Sequence, residues 1–334
     1  MDTLAFEQPI EELEAKIQQL VDQKADDPDA REEVRQLRKE LNELIRNTYS
    51  NLTSWETVQV SRHKDRPHTI DYLSLVFDDF VELHGDKHFG DDRAMRCGFA
   101  KLGDQKVLVV GHQKGRTYQE RSECFFGCAH PEGYRKAMAK MRLAAKYKLP
   151  VICLIDTPGA YPGIGAEERG QAQVIAENMF EMSRLETPII CVVIGEGGSG
   201  GALGIGVGDR VAMLEFSYYS VISPEGCAGI LWKSAEHASK AAEALKFTSK
   251  YLREFGVIDA VIEEPLGGAH RDHHQMASRL KMYLSKTLRE LQDFPLAELV
   301  EKRYEKFRAM GVYLEDRSEE HTSELQSPMY LVCR

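Results

Sequence analysis

Apolar residues near the amino terminus recur at alternating spacings of four and three, which is the spacing of one face of an α-helix. A first series ends at Leu20, and a second begins at Ala30 after the helix-breaking stretch Asp26-Asp27-Pro28-Asp29. The two series are Phe6, Ile10, Leu13, Ile17 and Leu20, then Ala30, Val34, Leu37, Leu41 and Leu44. The pattern predicts two helices in an antiparallel hairpin, which we interpret as an internal packing or subunit-contact element.

Farther along, after a helix predicted around Tyr72 to Leu83, the pattern changes to short apolar runs separated by helical stretches. Such runs are typical of buried strands. The runs are Val107 to Val110, Val151 to Ile155, Ile189 to Ile194, Val211 to Leu214 and Val257 to Ile262. Further helices are predicted over Glu167 to Leu185, Arg271 to Leu291 and Leu296 to Met310. Strands that alternate with helices predict an α/β layered fold.

Composition and charge narrow the function classes. The 334 residues are 43% hydrophobic, which is enough for a sizeable core. A formal charge of −10 argues against nucleic acid as the main partner, because phosphate binding needs clustered Lys and Arg. The apolar runs are far shorter than the roughly 20 residues of a membrane-spanning helix. The acidic start, with Asp2, Glu7, Glu11 and Glu12, is the reverse of a secretory signal, so we expect a cytoplasmic protein.

The seven cysteines include no C-x2-C pair. Cys124 and Cys128 have C-x3-C spacing, which could form half of a redox or metal site. We interpret the thiols instead as incidental side chains in a reducing compartment.

The carboxyl-terminal segment, residues 317–334, has a foreign character. Its run Arg317-Ser318-Glu319-Glu320-His321-Thr322-Ser323-Glu324-Leu325-Gln326-Ser327 resembles the in-frame translation of a common sequencing-library adapter. We interpret this segment as a non-native tail, which the fold prediction does not include. A natural disordered tail is the alternative, and the underlying nucleotides would distinguish the two.

Glycines dominate the stretch after the third apolar run. Eight of the 26 glycines lie between Gly195 and Gly208. Glycine permits positive φ and lets main-chain N–H groups approach a ligand closely, and such groups at a helix start stabilise developing negative charge. The pattern therefore predicts a loop that binds an anion through its backbone.

The same stretch fits two other motifs. Gly195 to Gly200 satisfies G-x-G-x-x-G, with Glu215 where a dinucleotide enzyme keeps its ribose-binding acid. Gly197 to Gly201 satisfies G-x-S-x-G, with Asp259 and His270 downstream in the order of an α/β-hydrolase. A nicotinamide-dependent oxidoreductase and a serine hydrolase through Ser199 therefore stay open as alternatives.

Two further turns follow apolar strands, namely Asp156 to Gly165 after Ile155 and Ser223 to Gly226 after the run Val221-Ile222. Loops from strand ends gather in the ligand crevice of an α/β sheet, so three such loops indicate one shared site. The basic turn Gly111 to Arg116 could meet a phosphate or carboxylate, or be a solvated turn. The sequence has no phosphate-binding G-x4-G-K-[ST] motif and no ligand set with metal spacing around His273 and His274.

These segments in this order resemble the carboxyltransferase alpha subunit of the bacterial-type, multi-subunit acetyl-CoA carboxylases. The matching stretches are Phe6 to Ile17, Gly111 to Arg116, Pro131 to Ala137, Asp156 to Gln171, Gly195 to Leu203, Ser220 to Ala228 and Glu264 to Arg271. One departure is Cys128-Ala129, where the family leads us to expect Met-Pro, so the loop from Thr117 to His130 could differ in shape.

The resemblance implies a crotonase-like (ClpP/crotonase) fold of repeated β-β-α units over residues 61–316, preceded by the helical hairpin and a linker over residues 1–60. It implies a reaction that passes a carboxyl group from carboxybiotin to acetyl-CoA, which gives malonyl-CoA for fatty acid synthesis. Negative charge would develop on the ureido oxygen of biotin and on an enolate oxygen, so the protein would supply N–H donors and exclude water rather than supply an acid or base.

Carried onto this sequence, the resemblance implies Gly200 and Gly201 as catalytic main-chain donors and a surrounding biotin pocket. The pocket residues are Gly197, Gly198, Thr157, Gly159, Ala160, Tyr161, Gly163, Gly165, Ser223, Pro224, Glu225 and Gly226. The two loops among them could also be simple turns.

The resemblance also implies partners. They are a beta subunit that carries a zinc ribbon and most of the CoA site, a biotin carboxyl carrier protein, and biotin carboxylase in the larger complex. We expect an α2β2 assembly, biotin as the cofactor, and no metal in this chain.

Overall fold

The computed structural model describes residues 4–23 and 27–311, and the tail interpreted as non-native lies outside these residues. The described residues form one eight-stranded sheet with helices on both faces. The strands are β1 Asp78–Glu82, β2 Met95–Leu102, β3 Gln105–His112, β4 Val151–Thr157, β5 Ile189–Gly198, β6 Arg210–Leu214, β7 Tyr218–Ser220 and β8 Ala260–Ile262. All five predicted apolar runs overlap strands, which confirms the α/β class.

The strand order is β1-β2-β3-β4-β5-β6-β8, and β7 pairs with β5. The pairs β1-β2 and β2-β3 are antiparallel, whereas every pair from β3 onward is parallel. The residues of β4 and β5 are buried along their whole length, as expected for parallel strands covered on both faces. Because β4 and β5 are parallel neighbours, their carboxyl ends meet at one edge of the sheet.

Helices surround this sheet. Their bounds are α1 Gln8–Gln23, α2 Pro28–Ser50, α3 Ser54–Ser61, α4 Thr69–Val76, α5 Tyr118–Glu123, α6 Pro131–Lys146, α7 Ile164–Glu168, α8 Gln171–Arg184, α9 Ser199–Leu203, α10 Pro224–Trp232, α11 Ala238–Leu245, α12 Ser249–Glu254, α13 His273–Gln292 and α14 Leu296–Arg308. Short 3-10 turns cover Ala5–Glu7, Phe125–Gly127 and Ala235–His237. No helix in the described ranges combines the length and the apolar character needed to cross a bilayer.

Alternating strand residues feed two separate cores. Cys153 and Ile155 of β4 pack on the face that α6 and α8 cover, whereas Ile152 and Leu154 pack on the face that α4 and α13 cover. This alternation follows from the two-residue period of a strand. Helices therefore pack on both faces of β4 and β5, whose carboxyl ends meet at one edge of the sheet.

The predicted hairpin is present in α1 and α2. Ile17 packs against Leu37 at the tip, while Ile10 packs against Ile45 near the base, so the helices run antiparallel. The base also contacts Phe216, which follows β6. The hairpin therefore joins the sheet through its open end.

Some predicted elements differ from the structure. The helix predicted around Tyr72 to Leu83 ends at Val76, because the next residues pair with β2 as β1. The helix predicted over Glu167 to Leu185 is divided into α7 and α8 at Gly170, which has φ of 80°. The run Val221-Ile222 is not a strand, since β7 ends at Ser220 and Val221 is 78% exposed.

Candidate active site

The glycine-rich stretch is a strand that turns directly into a helix. β5 continues through Gly198 and α9 begins at Ser199, so the prediction of a loop here is wrong. A Cβ on Gly198 would lie 2.1 Å from the carbonyl oxygen of Pro158, and a Cβ on Gly197 would lie 2.8 Å from the Tyr219 ring. Neighbouring chain segments therefore fill the space that side chains would need.

Gly200 and Gly201 form the first turn of α9. A Cβ on Gly201 would lie 2.5 Å from the carbonyl carbon of Gly159, so this helix packs backbone to backbone on the segment after β4. The first amides of any α-helix lack partners inside the helix. Gly198, at the N-cap, offers no side chain to bind them. Gly200 is half-buried and Gly201 is buried, which leaves main-chain N–H groups in a sheltered position.

The backbone of Ser199, at the junction of β5 and α9, is strained. Its φ of 50° lies in the left-handed region, which costs a residue with a Cβ roughly 1 to 2 kcal/mol. Strain of this kind persists where the surroundings impose it, and it concentrates at functional sites. The sharp turn is what redirects the chain from β5 into α9.

The segment after β4 is held by a hydroxyl and by aromatic rings. Thr157 Oγ1 lies 2.7 Å from the carbonyl oxygen of Gly127 and accepts the N–H of Gly159 at 3.1 Å. The Tyr161 ring stacks on His130 at 4.1 Å, and Phe125 meets the same histidine edge-on. The segment and the loop from Thr117 to His130 thus form one packed unit.

The rest of this segment leads into a short helix. Gly163 is the N-cap of α7, and a Cβ there would lie 2.4 Å from the Tyr161 ring. Ala160 is half-buried, and Gly165 lies within α7, close to the side chain of Arg169. These residues fix the course of the segment.

The third predicted segment, Ser223 to Gly226, starts α10. Ser223 is the N-cap, and its hydroxyl accepts the N–H of Gly226 at 3.1 Å, while the buried Pro224 takes the first helical position. β7 brings the segment near the other two, because Ser220 pairs with Gly198. Glu225 contacts Arg62, which also contacts Glu196 of β5. The structure therefore brings all three predicted segments to one edge of the sheet.

An apolar groove of about 530 Å³ lies beside this edge. Its walls come from α8, α9, the end of β7 and α14, and they include Met179, Ser199, Leu203, Val221 and Phe307. The predicted pocket residues do not line the groove themselves; they support the wall that Ser199 and Leu203 form. Its size is in the usual range for small-molecule sites.

A polar cleft of about 220 Å³ lies on the other side of the β5 end. Arg62, Lys114, Phe126, Asp156 and Glu196 line it. The basic turn Gly111 to Arg116 is thus not a solvated turn, because Lys114 binds Asp156 and Glu196, and Arg116 binds Asp71 at 2.5 Å. In the same turn, burial lowers the pKa of His112 to about 3, so its ring is neutral.

The triad that a serine hydrolase would need is not assembled. Asp259 contacts Lys306 at 2.6 Å and accepts the N–H of Val211. The rings of His270 and His63 are tilted by 33° with their centroids 4.1 Å apart, and His270 also lies near Tyr49, in contact with the hairpin. Neither residue is placed to activate Ser199.

The structure also argues against a dinucleotide-binding site, because Glu215, its candidate ribose-binding acid, is bound elsewhere. Glu215 Oε2 accepts the N–H of Glu264 at 3.0 Å, and Glu215 lines neither the groove nor the cleft beside the glycine-rich stretch.

One group of potential metal ligands, Glu7, His63 and His270, occurs within the described residues. Glu7 accepts a hydrogen bond from Tyr49 and lies 3.8 Å from Arg271. His63 Nδ1 accepts the N–H of Asp65 at 3.2 Å. The tilted ring contact and the nearby arginine suit a polar contact between hairpin and body better than a cation site.

The C-x3-C pair has no thiolate character. Burial raises the pKa of the Cys124 thiol and of the Cys128 thiol, which disfavours the reactive form. Both are free cysteines.

Sequence reasoning missed residues that support the site from a distance. The Tyr134 hydroxyl, fully buried in α6, donates to the carbonyl oxygen of Gly201 at 3.1 Å. Lys114 and Arg62 bind the acids beside the three segments. A lone Tyr or Lys in a helix or turn carries no periodic signal that could have identified these contacts.

Comparisons with known proteins agree with this architecture. The family model described as acetyl co-enzyme A carboxylase carboxyltransferase-like matches residues 3–311. The chain is similar to the acetyl-coenzyme A carboxylase carboxyl transferase subunit alpha of Rhodopirellula baltica, with 68% identity over 94% of this chain and 98% of that protein. The protein of the same name from Methylococcus capsulatus is 56% identical over 93% of this chain and 98% of its own length.

Among solved structures, the transcarboxylase 12S superposes with a TM-score of 0.53 at 20% identity and covers 68% of this chain and 44% of that chain. The fold is that of the crotonase-like carboxyltransferases, and the family match identifies the chain as a transferase of this class. More specifically, the chain belongs to the acetyl-CoA carboxylase carboxyltransferase family, on the alpha-subunit side. The family that the sequence predicted is confirmed, and neither the hydrolase nor the oxidoreductase finds support.

Proposed function

We propose that this chain is the alpha half of a carboxyltransferase that moves a carboxyl group from carboxybiotin to acetyl-CoA and so yields malonyl-CoA. The observation that supports the proposal is the start of α9, where Gly200 and Gly201 lie in a first turn without a side-chain cap and Ser199 and Leu203 line an apolar groove. The alpha-subunit relatives support the same reaction by their names.

The groove fits biotin in its chemistry. Its walls are apolar, from residues such as Met179, Leu203 and Phe307, which suits a thioether ring and an aliphatic arm. The ureido oxygen accepts hydrogen bonds, and the first turn of α9 would supply N–H donors to it without a competing side-chain cap. When bound, carboxybiotin would supply the carboxyl group that is transferred.

The residues of this chain would bind, orient and exclude water. Gly200 and Gly201 would donate to an oxygen on which negative charge develops, and preorganised donors of this kind cost no reorganisation during the reaction. Thr157, Gly159 and Ala160 would hold α9 in place from behind. Ser223, Pro224, Glu225 and Gly226 would fix the third side, while Tyr161, Gly163 and Gly165 would keep the segment after β4 rigid.

The partners follow from the alpha-subunit assignment. We expect a beta subunit with a zinc ribbon that holds most of the acetyl-CoA site, a biotin carboxyl carrier protein, and biotin carboxylase in the larger complex. An α2β2 assembly in the cytoplasm, and no metal in this chain, complete the proposal. The hairpin of α1 and α2 is a candidate contact, because Ile17, Val34 and Leu37 form an apolar cluster between its own two helices.

The test is a reconstitution. The purified chain is mixed with a carboxyltransferase beta subunit, malonyl-CoA and free biotin, and carboxyl transfer is followed in the reverse direction. We expect transfer only when both subunits are present. Activity of the chain alone would contradict a site shared between subunits.

Two variants distinguish a role of the main-chain N–H donors from a role of the Ser199 hydroxyl. Gly201→Val should reduce kcat by about 10² to 10³, the usual loss for one missing oxyanion donor, because its side chain would collide with Gly159 and turn the amides away. Ser199→Ala should retain most activity, since the hydroxyl has no nucleophilic role. Equal losses in the two variants would restore the hydrolase interpretation.

A further inference from the structure

Each of the three site segments adjoins a carboxylate. Asp156 directly precedes Thr157, Glu196 directly precedes Gly197, and Glu225 lies inside the third segment. Asp156 and Glu196 are buried, and Glu225 is half-buried. The geometry of these acids therefore sets the geometry of the segments.

Lys114 joins the first two acids. Its Nζ lies 2.6 Å from Asp156 Oδ1 and 2.5 Å from Glu196 Oε2. Asp156 Oδ1 also accepts the main-chain N–H of Glu196 at 2.9 Å. One ammonium thus fixes the distance between the ends of β4 and β5, from a turn that follows β3.

Arg62 joins the second acid to the third. Its Nε lies 2.6 Å from Glu196 Oε1, and its Nη1 lies 2.5 Å from Glu225 Oε1. The Tyr218 hydroxyl donates to Glu196 Oε1 at 2.7 Å. The planar guanidinium of Arg62 thereby holds the start of α10 at a set position relative to β5.

The resulting chain of charges runs Asp156, Lys114, Glu196, Arg62, Glu225, and we name it the ionic chain. Burial alone would raise the pKa of Glu196, but the charges of Lys114 and Arg62 outweigh it and lower that pKa to about 2. A buried ion pair of this kind contributes little net stability, yet removal of one partner leaves an uncompensated charge. The ionic chain instead specifies one arrangement of the groups that it connects.

We propose that Lys114 and Arg62 are positioning residues of the carboxyltransferase, which hold the three site segments in the one register that aims the amides of Gly200 and Gly201. The inference rests on the proposed function. Neither cation needs to touch the substrate, because both are already bound to carboxylates of this chain. A displacement of about 1 Å in a catalytic arrangement can cost about 10²-fold in rate, so such a role has a kinetic signature.

The experiment compares matched lysine variants in the complex of this chain with a beta subunit. Lys306 is the control: its Nζ lies 2.6 Å from Asp259 Oδ2 and 3.1 Å from the carbonyl oxygen of Gly208, at the opposite, amino ends of β6 and β8. Lys114→Met should lower kcat by about 10²-fold with KM for malonyl-CoA within about twofold. Lys306→Met should change kcat by less than about twofold for a similar fall in Tm.

Two more variants keep the test decisive. Lys114→Arg should recover part of the lost kcat, since a guanidinium can also bridge two carboxylates. Glu196→Gln keeps the shape and removes the central charge, and it should lower kcat in the same way even if Lys114→Met does not fold.

Three results would overturn the inference. A large rise in KM for malonyl-CoA with kcat intact would make Lys114 a substrate ligand. Equal kcat losses in the Lys114 and Lys306 variants would leave only a structural role, as would unchanged kcat in Glu196→Gln. Absence of transfer by the wild-type complex would instead count against the proposed function, so the two failures are distinguishable.

Discussion

At the scale of single residues, the lack of space around the site requires glycine at two positions. Gly198 and Gly201 have no room for a Cβ, because the segment after β4 lies 2.1 and 2.5 Å from where those atoms would be. Ser199 between them accepts a left-handed φ of 50°. The result is a helix start whose N–H groups have no side-chain cap and whose course is fixed by its neighbours.

The buried hydroxyl of Tyr134 gives a prediction at this scale. Tyr134→Phe should lower the free energy of unfolding by about 1 kcal/mol, because the hydrogen bond to the carbonyl oxygen of Gly201 is lost. Urea denaturation of both proteins measures the difference.

Tyr72→Phe is the matched control. Tyr72 is equally buried, but its hydroxyl has no hydrogen-bond partner among the residues that the structure describes. Its removal should be neutral or stabilising. Equal losses in the two variants would mean that the contact with Gly201 contributes nothing.

At the scale of elements, periodic patterns predicted most of the framework. The helical spacing of Ile10 and Ile17 predicted the hairpin, and the apolar runs predicted β3 to β6 because those strands are buried on both faces. β2 has no such signal, since Arg96, Gly98 and Lys101 interrupt it. Its identity comes from pairing with β3, which is a tertiary contact.

The candidate site divides in the same way. Turn chemistry after apolar runs predicted the three segments, because glycine and proline report the local backbone. The ionic chain could not be predicted, since Lys114 lies 82 residues from Glu196 and Arg62 lies 163 residues from Glu225. A charged residue in a turn is ordinarily solvated, and only the assembled sheet brings two carboxylates to Lys114.

At the scale of the whole molecule, buried charge at the sheet edge couples stability to pH. A carboxylate whose pKa is lowered on folding contributes stability above its unfolded pKa and loses it as the pH falls through the folded value. For Glu196 that window runs from 4.5 down to about 2. A fall in pH through this window should therefore lower the free energy of unfolding.

Glu196→Gln tests this coupling. The variant cannot be protonated at this position, so the advantage of the wild type in free energy of unfolding should shrink by roughly 1 to 3 kcal/mol as the pH falls through that window. Urea denaturation at a series of pH values gives the two curves. A difference that stays constant from neutral pH to pH 3 would show that the charge of Glu196 does not contribute.

The proposed function requires that main-chain amides at the start of α9, rather than any ionisable side chain, hold the negative oxygen that develops on biotin. The most direct measurement is a crystal structure of this chain with its beta subunit and bound biotin. We expect the ureido oxygen at about 2.7 to 3.2 Å from the nitrogen of Gly200 or Gly201, with the ring in the apolar groove. A ureido oxygen bound instead in the polar cleft beside Lys114 would contradict the proposed function.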